Sequence, residues 1–225
     1  MSGEGKRFKD FGYKELKPFI KIHKNYMINH VINMLEGFKD YLFICNDSHL
    51  KNNCKKKIKS QVPQAKIVSI KKNKLGPVMA LKKFENLIQD DKEIIISYCD
   101  FFSMFNTSKL LSFIKKHNSH GLIVTYTGFH PHMLGKDHYA YLSVNKKFQL
   151  NKIYEKKALK KDKLKEIVSN GLYYFKSGRL LKKVINELIK HGPKINNEYY
   201  VSLLFNFIVQ KNLRVNYYMV DNMCQ

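Results

Sequence analysis

The stretch Glu93-Ile94-Ile95-Ile96-Ser97-Tyr98-Cys99-Asp100 combines a continuous apolar run with a carboxylate two residues after it. Apolar runs of this length, without a polar residue at every second position, are typical of strands that are buried on both faces of a sheet. Three further runs have the same character and cover residues 41–45, 66–70 and 122–126. The sequence therefore predicts a set of buried strands, one of which ends just before Asp100.

Segments with helical periodicity separate these runs. They cover residues 27–35, 50–58, 78–88 and 108–116. Strands that alternate with helices indicate a mostly parallel sheet with right-handed crossovers and helices on both faces. Beyond residue 126 the pattern is less regular, and it predicts strands over 139–144, 148–154 and 172–175 and helices over 180–190 and 199–209. Because no linker or low-complexity segment divides the chain, we expect one three-layer α/β domain over residues 1–225.

The composition limits the function before any motif is considered. The chain has 225 residues, 44% of them hydrophobic, and a formal net charge of +23. This hydrophobic content excludes disorder. Arginine occurs only at positions 7, 179 and 214, and the many lysines are scattered along the chain. A nucleic-acid surface would favour clustered basic stripes and arginine forks, so we expect no specific nucleic-acid partner. A weak attraction to polyanions or acidic membrane surfaces stays open.

Cysteine and histidine spacing favours neither disulfides nor a zinc site. The four cysteines have no paired spacing, which is typical of reduced thiols in a cytoplasmic protein: Cys45, Cys54, Cys99 and Cys224. The one tight histidine pair, His130-Pro131-His132, has no third ligand near it in sequence. No run has the length that would cross a bilayer, and the first residues lack a signal-peptide core. We therefore expect a cytoplasmic protein without membrane insertion.

The first residues suggest a phosphate-binding loop. In Gly3-Glu4-Gly5-Lys6-Arg7-Phe8 two glycines stand one residue apart, and Lys17 follows ten residues after Arg7. Such a turn lets the backbone approach a phosphate closely, and the two cations can clamp what it holds. The loop lacks the Gly-Lys-Ser/Thr of a Walker loop and the third glycine of the dinucleotide fingerprint. On these residues alone, an ordinary glycine turn explains the pattern equally well.

Residues 3–28 resemble the signature of the sugar-1-phosphate nucleotidylyltransferases, in particular a branch associated with capsule and surface polysaccharides. Further segments resemble motifs of that family in the same order: Phe43-Ile44-Cys45-Asn46 with His49-Leu50, Leu75-Gly76-Pro77, Ser97-Tyr98-Cys99-Asp100-Phe101, Gly128-Phe129-His130-Pro131-His132, Glu155-Lys156, Gly171-Leu172-Tyr173-Tyr174-Phe175-Lys176-Ser177-Gly178 and Asn197-Glu198-Tyr199-Tyr200-Val201-Ser202. The resemblance implies a Rossmann-like domain of the GT-A type. It also implies a nucleotide-binding half over residues 1–126 and an acceptor-binding half over 127–225.

The reaction that the resemblance implies is nucleotidyl transfer. A phosphate oxygen of a sugar phosphate, or of a related phosphorylated alcohol, attacks the α-phosphorus of an NTP, and pyrophosphate leaves. The product is an NDP-sugar for surface polysaccharide synthesis. The resemblance implies that Arg7 and Lys17 are catalytic cations and that Asp100 holds Mg²⁺. An aspartate at the carboxyl end of a buried strand is also a natural magnesium ligand on physical grounds, with a loop cap before Asn106-Thr107 as the less favoured alternative.

The resemblance also distributes the remaining site residues between the two substrates. It implies that Gly3, Glu4 and Gly5 bind the triphosphate and that Gly76 and Pro77 border the base. It implies that Glu155 and Lys156 bind a hydroxyl group and the phosphate of the acceptor. Three further acceptor-site candidates are Tyr139, Gly171 and Glu198. The base, the acceptor and the oligomeric state stay open, and a homo-oligomer is compatible with the sequence.

The sequence departs from the family pattern at both ends. Relatives have a hydrophobic strand before the glycine loop and a Trp-Gly-Thr-Pro segment near the other end, and this sequence contains neither. We therefore expect an apparent truncation that could impair activity. One alternative is a non-catalytic remnant that keeps the fold and weak nucleotide binding. Another is a GT-A glycosyltransferase, which is disfavoured because Asp100 stands in Cys-Asp-Phe and not in an Asp-x-Asp metal motif.

Overall fold

The computed structural model describes residues 10, 12–50, 53–71, 74–220 and 222–224. These residues form two compact units. The first unit contains the described residues up to Lys74 together with Tyr98–Phe102. The second unit contains the described residues of Leu75–Ser97 and Ser103–Cys224.

The first unit is built around a pair of parallel strands. Its elements are a 3-10 turn (Lys17–Phe19), a hairpin of β1 (Lys21–Ile22) and β2 (Asn25–Tyr26), helix α1 (Met27–Met34), strand β3 (Leu42–Asn46), helices α2 (Asp47–Leu50) and α3 (Cys54–Lys59), and strand β4 (Lys66–Ile70). Strands β3 and β4 pair in parallel, as the sequence predicts. The helix predicted over 50–58 is two short helices, and Asn53 before α3 has a left-handed backbone with φ of 53°. That conformation cannot continue an α-helix.

The second unit contains the remaining strands and the longer helices. Its elements begin with α4 (Pro77–Lys83), a 3-10 turn (Glu85–Leu87), β5 (Ile94–Ser97), β6 (Phe102–Met104, whose first residue belongs to the first unit), α5 (Thr107–His117) and β7 (Gly121–Tyr126). They continue with a 3-10 turn (Pro131–Leu134), β8 (Ala140–Val144), β9 (Leu150–Glu155), a 3-10 turn (Lys163–Lys165) and β10 (Val168–Phe175). The last are α6 (Gly178–His191), a 3-10 turn (Val201–Leu203), α7 (Leu204–Gln210), β11 (Val215–Met219) and β12 (Asn222–Cys224).

Six strands of the second unit form one mixed sheet. The strand order is β11-β7-β10-β8-β9, and β5 also pairs with β10. Strands β7 and β11 are parallel, whereas β10 runs antiparallel to β5, β7 and β8. Strands β5, β7, β8 and β11 therefore share one direction, although most neighbouring pairs are antiparallel. This arrangement confirms the predicted mixed α/β class.

Helix packing follows the sequence pattern. In α6 the side chains of Leu181, Val184, Ile185 and Leu188 recur at helical spacing and are completely buried. The Ser177 hydroxyl caps this helix by accepting a hydrogen bond from the Leu180 amide at 3.1 Å. Of the helices that the structure describes, none is both long enough and apolar enough to cross a lipid bilayer. All described lysines are exposed or partly exposed.

Strand β11 was not predicted from the sequence. It contains Asn216, which is fully buried and interrupts the apolar run. The Asn216 side chain accepts a hydrogen bond from the Ser119 hydroxyl at 2.7 Å and donates one to the Phe148 carbonyl at 3.0 Å. Both polar ends of the amide are thereby satisfied, which removes most of the cost of burying it. A polar residue that breaks the pattern thus lies in the interior of the sheet.

Candidate functional site

In the first unit, two predicted site residues form an ion pair. The ammonium group of Lys17 lies 2.6 Å from Oδ2 of Asp100. Lys17 is the first residue of the 3-10 turn before β1, and Asp100 lies in the segment Tyr98–Phe102 that follows β5. Both side chains are partly open to solvent, with 20% and 27% of their surface exposed. The pair therefore combines a fixed cation and an accessible carboxylate oxygen.

An aromatic core holds the backbone of Lys17 in place. Pro18 follows Lys17 in the turn and fixes its backbone geometry, and Phe19 is 1% exposed. The Phe19 ring meets the Tyr26 ring edge to face at 5.8 Å, and the Lys57 ammonium group lies within 5 Å of both ring centroids. Packing of this kind limits the movement of the turn, so Lys17 extends from a rigid base.

Three cysteines of the first unit are free thiols. They are Cys45 at the end of β3, Cys54 at the start of α3, and Cys99 next to Asp100. Cys45 and Cys54 are completely buried. A hydrogen bond from the Cys45 thiol to Cys54 and burial together raise the pKa of Cys45. Burial also raises the pKa of Cys99. The expectation of free thiols agrees with the structure at these three positions; Cys224 has no described side chain.

In the second unit, the carboxylate of Glu155 is buried at the end of β9. Its Oε2 accepts a hydrogen bond from the Ser202 hydroxyl at 2.5 Å. Burial raises the pKa of Glu155 to about 7, and the nearby Glu198 carboxylate acts in the same direction. The Ser202 hydrogen bond and the Lys156 charge oppose this shift. A carboxyl group with such a pKa can change its protonation state near neutral pH.

Lys156 and Glu198 are joined through a tyrosine hydroxyl. The Lys156 ammonium group donates a hydrogen bond to the Tyr200 hydroxyl, and that hydroxyl donates to Oε2 of Glu198. The ammonium group also lies 4.4 Å from the centroid of the Tyr200 ring. We call these residues, with Glu155 and Ser202, the Glu155 cluster. It contains one cation, two carboxylates and two hydroxyls, which suits a ligand that carries both a phosphate and hydroxyl groups.

An asparagine fixes the strand that carries the Glu155 cluster. Strand β9 lies at the edge of the sheet, where its backbone groups would lack a neighbouring strand. The Asn206 side chain on α7 accepts from the Ile153 amide and donates to the Ile153 carbonyl, each at 2.9 Å. The amide thus replaces a strand partner and ties β9 to α7. Because Ser202 and Tyr200 lie just before α7, this contact keeps the two parts of the cluster aligned.

The segment 75–78, which contains Gly76 and Pro77, is hydrogen-bonded to the backbone of Tyr199, the residue between Glu198 and Tyr200. The Tyr199 amide donates to the Leu75 carbonyl at 2.9 Å, and the Val78 amide donates to the Tyr199 carbonyl at 3.2 Å. A Cβ atom on Gly76 would lie 2.7 Å from the Tyr199 carbonyl oxygen. Gly76 also has φ of 88° and ψ of 179°, a conformation open essentially to glycine alone. The sequence pair predicted to border the base therefore supports the segment that carries Glu198 and Tyr200.

The remaining predicted acceptor residues lie on neighbouring strands. The Tyr139 carbonyl accepts a hydrogen bond from the Lys156 amide at 2.7 Å, so Tyr139 contacts the Glu155 cluster through its backbone. Gly171 lies where the pairing of β10 with β7 shifts register, with φ of 97°. Its amide donates to the Ser169 hydroxyl at 3.3 Å. Gly3, Glu4, Gly5 and Arg7 lie outside the described residues.

Two cluster members had no role assigned from the sequence. Tyr200 and Ser202 lie in Asn197-Glu198-Tyr199-Tyr200-Val201-Ser202, a segment recognised only as a whole. The position of a serine or tyrosine hydroxyl is not indicated by sequence periodicity. Its role becomes clear only when the structure shows which carboxylate it contacts. The sequence signal that could have found them is their spacing of two and four residues from Glu198.

The chemistry of the Lys17–Asp100 pair fits a magnesium ion that is shared with phosphate. Within the described ranges, no three His, Cys, Asp or Glu side chains form a group that could hold a metal. Mg²⁺ in phosphate sites usually takes one or two carboxylates and completes its shell with phosphate oxygens and water. A single accessible carboxylate such as Asp100 is sufficient for that mode of binding.

The comparisons with known proteins agree with this fold. The family model described as nucleotidyl transferase matches residues 1–210. The structure is similar to a nucleoside-diphosphate-sugar pyrophosphorylase from Vibrio cholerae RC9, with a TM-score of 0.76, 17% identity, and coverage of 98% of this chain and 90% of that one. It is also similar to the inositol-1-phosphate CTP transferase from T. maritima, with a TM-score of 0.74, 15% identity, and coverage of 99% and 84%. No curated protein matches the sequence. The match over residues 1–210 shows that the chain belongs to the nucleotidyl transferase family.

Proposed function

We propose that this protein transfers a nucleoside monophosphate from an NTP to a sugar phosphate or a related phosphorylated alcohol. The observation that carries the proposal is the Glu155 cluster. It brings the adjacent residues Glu155 and Lys156 together with Glu198, which lies more than forty residues later in the sequence, so that one cation and two carboxylates share one cluster. Family membership supports the transfer reaction, and the cluster supports an acceptor with a phosphate and several hydroxyls.

The proposed reaction forms one bond and breaks another. An acceptor phosphate oxygen attacks the α-phosphorus, a new P–O bond forms, and the bond to the bridging oxygen of the β-phosphate breaks, so that pyrophosphate leaves. Such transfers depend on charge stabilisation and in-line positioning and need no covalent intermediate on the protein. Lys17 neutralises negative charge on the triphosphate. Arg7 is proposed to contribute to the same task, and the loop of Gly3, Glu4 and Gly5 is proposed to present backbone N–H groups to the phosphates.

The two substrates use different residues. Lys156 binds the acceptor phosphate, and Glu155 accepts a hydrogen bond from an acceptor hydroxyl. Asp100 would hold Mg²⁺, which supplies charge neutralisation at the phosphates when it is bound. Gly76 and Pro77 border the base, while Tyr139, Gly171 and Glu198 complete the acceptor side. We further propose that the product serves surface polysaccharide synthesis in the cytoplasm, since the sequence resembles the capsule-associated branch.

The test is a pyrophosphate-release assay over a panel of NTPs and phosphorylated sugars and cyclitols, with Mg²⁺ present. We expect release from one NTP only when its acceptor is added. Asp100→Asn and Lys17→Met should each lower kcat/KM by roughly 10²- to 10³-fold, because single electrostatic contacts at the transferring group have this value. The matched control is Asp90→Asn, which breaks a Lys182–Asp90 ion pair of 2.8 Å in the second unit and should leave the rate unchanged.

Two results would contradict the proposal. A folded protein without acceptor-dependent release over the whole panel would favour the non-catalytic remnant. Transfer of a sugar from an NDP-sugar would favour the glycosyltransferase. In either case the Lys17 and Asp100 variants would no longer report on the proposed chemistry.

A further inference from the structure

The second unit carries an exposed apolar cleft whose residues have no assigned role in the proposed transfer reaction. Phe129, Leu134 and Leu164 line it together with Lys161–Lys163, and its volume is about 340 Å³. Leu134 is 81% exposed, Phe129 66% and Leu164 48%. Large apolar side chains grouped at this exposure are uncommon on soluble proteins and often mark interaction sites. We call this surface the Phe129 cleft.

Hydrogen bonds hold the two segments of the Phe129 cleft together. The Thr127 hydroxyl and the Gly128 amide both donate to the Leu164 carbonyl, at 3.2 and 3.1 Å. Lys163 forms an ion pair of 2.7 Å with Asp137 and donates to the Gly135 carbonyl at 2.9 Å. The exposed apolar side chains are therefore presented by a structured base, and their exposure does not result from a loose loop.

A second set of hydrogen bonds stabilises the backbone around the Phe129 cleft. The buried carboxylate of Glu166 accepts hydrogen bonds from the Leu159 amide at 2.5 Å and from the Lys160 amide. Asp137 accepts a further one from the Ala158 amide at 2.8 Å. Glu166 and Asp137 thus serve the backbone and Lys163, and the exposed Asp162 pairs with Lys165 at 3.1 Å, so lysine outnumbers free carboxylate on the outer surface.

The charge around the Phe129 cleft indicates the kind of partner. Residues 157–165 contain five lysines and one aspartate, and Lys157, Lys160, Lys161 and Lys165 are exposed. A second copy of the chain would present the same positive surface and be repelled. Nucleic-acid surfaces favour arginine and stacked aromatic rings, but residues 127–166 contain no arginine, and among the described side chains Phe129 is the one aromatic residue that lines the cleft. Protruding leucine and phenylalanine side chains within a lysine rim match an anionic bilayer.

We propose that the Phe129 cleft and its lysines bind the surface of an anionic lipid bilayer. Leu134 and Phe129 enter the headgroup region, and the lysines contact lipid phosphates. This attachment is peripheral and needs no spanning helix. None of its residues belongs to the Lys17–Asp100 pair or the Glu155 cluster.

The experiment is co-sedimentation of the full chain with vesicles of pure phosphatidylcholine and with vesicles that also contain phosphatidylglycerol. We expect binding only to the anionic vesicles. Leu134→Ser should lower the affinity several-fold without changing the net charge. Lys160→Glu with Lys161→Glu should lower it by at least about tenfold, because each lysine near an anionic surface contributes about fivefold.

Matched controls separate this site from the general positive charge of the chain. Met104→Ser removes an apolar side chain that is 59% exposed elsewhere in the second unit, and Lys115→Glu with Lys116→Glu reverses two exposed charges on α5. Both controls should retain most of the binding. Equal losses in the control and test variants would mean a diffuse electrostatic attraction and overturn the proposal. So would binding to single-stranded RNA or an acidic peptide without binding to vesicles. Circular dichroism confirms that each variant is folded.

Discussion

The buried carboxylate of Glu155 links the acceptor cluster to pH. Its pKa lies near 7 because burial disfavours the charged form more than Ser202 and Lys156 stabilise it. In the unfolded chain the same group has its ordinary pKa of 4.5. Between these two values the folded protein keeps a proton that the unfolded chain has lost. The group therefore contributes stability that is complete below pH 4.5 and is lost as the pH rises through 7.

Replacing Glu155 by glutamine should remove this pH dependence. We expect the stability of the wild type, relative to Glu155→Gln, to fall by on the order of 3 kcal/mol between pH 4.5 and 7 and to level off above that. Urea denaturation at a series of pH values measures the difference. The control is Glu187→Gln, which affects a surface ion pair of 2.7 Å with Lys211. If the wild type instead became more stable than Glu155→Gln as the pH rose, the folded protein would stabilise the Glu155 carboxylate, contrary to the effect expected from its burial.

Individual site residues were predictable only where a charge or a glycine marked them. Lys17 and Asp100 were assigned to the same triphosphate site by resemblance, and the structure places them 2.6 Å apart. Tyr200 and Ser202 could not be assigned, since a hydroxyl has a role in the cluster only through the carboxylate that it contacts. The predicted roles of all these residues stay predictions until they are measured.

At the scale of elements, Gly76 joins the start of α4 to the segment that carries the Glu155 cluster. Gly76→Ala would place a methyl group against the Tyr199 backbone and force alanine into a conformation that favours glycine. Gly128 has nearly the same φ, 89° against 88°, but nothing lies within 4 Å of the position of its Cβ. A comparison of alanine substitutions at the two glycines therefore distinguishes the cost of backbone strain from the cost of a steric clash.

We expect Gly76→Ala to destabilise the protein by roughly 3 kcal/mol or more and Gly128→Ala by about 1–2 kcal/mol. Urea midpoints of both variants measure the difference. Gly76→Ala should also weaken acceptor binding, because Glu198 and Tyr200 follow the Tyr199 backbone. Equal destabilisation by the two substitutions would mean that the Tyr199 contact relaxes without cost.

Elements with continuous patterns were predicted closely, and those fixed by tertiary contacts were not. Strand β4 covers the predicted residues 66–70, and β3, β5 and β7 differ by one or two residues at their ends. The segment predicted as one helix over 199–209 begins instead as a 3-10 turn, Val201–Leu203, which presents Ser202 to Glu155. Sequence periodicity cannot distinguish these two helix types, because both repeat about every third or fourth residue.

At the scale of the molecule, the α/β class followed from the alternation of strands and helices, but the sheet order did not. Strand β10 lies between β7 and β8 and also pairs with β5. It therefore pairs with three strands that precede it in the sequence. Local patterns carry no information about such pairing. The sequence also indicated that the many lysines lie at the surface, and none of the described lysines is buried.

This lysine-covered surface has a consequence for the speed of substrate capture. Both proposed substrates are anions, and a field from a net charge of +23 raises their rate of encounter with the protein. Added salt screens this field. We expect kcat/KM to fall several-fold between low and physiological ionic strength while kcat stays constant, and steady-state assays over a sodium chloride series measure both. If kcat fell together with kcat/KM, salt would be acting on a step after substrate binding and not on the rate of encounter. With constant kcat, the surface lysines shorten the search for a dilute substrate even where they never touch it.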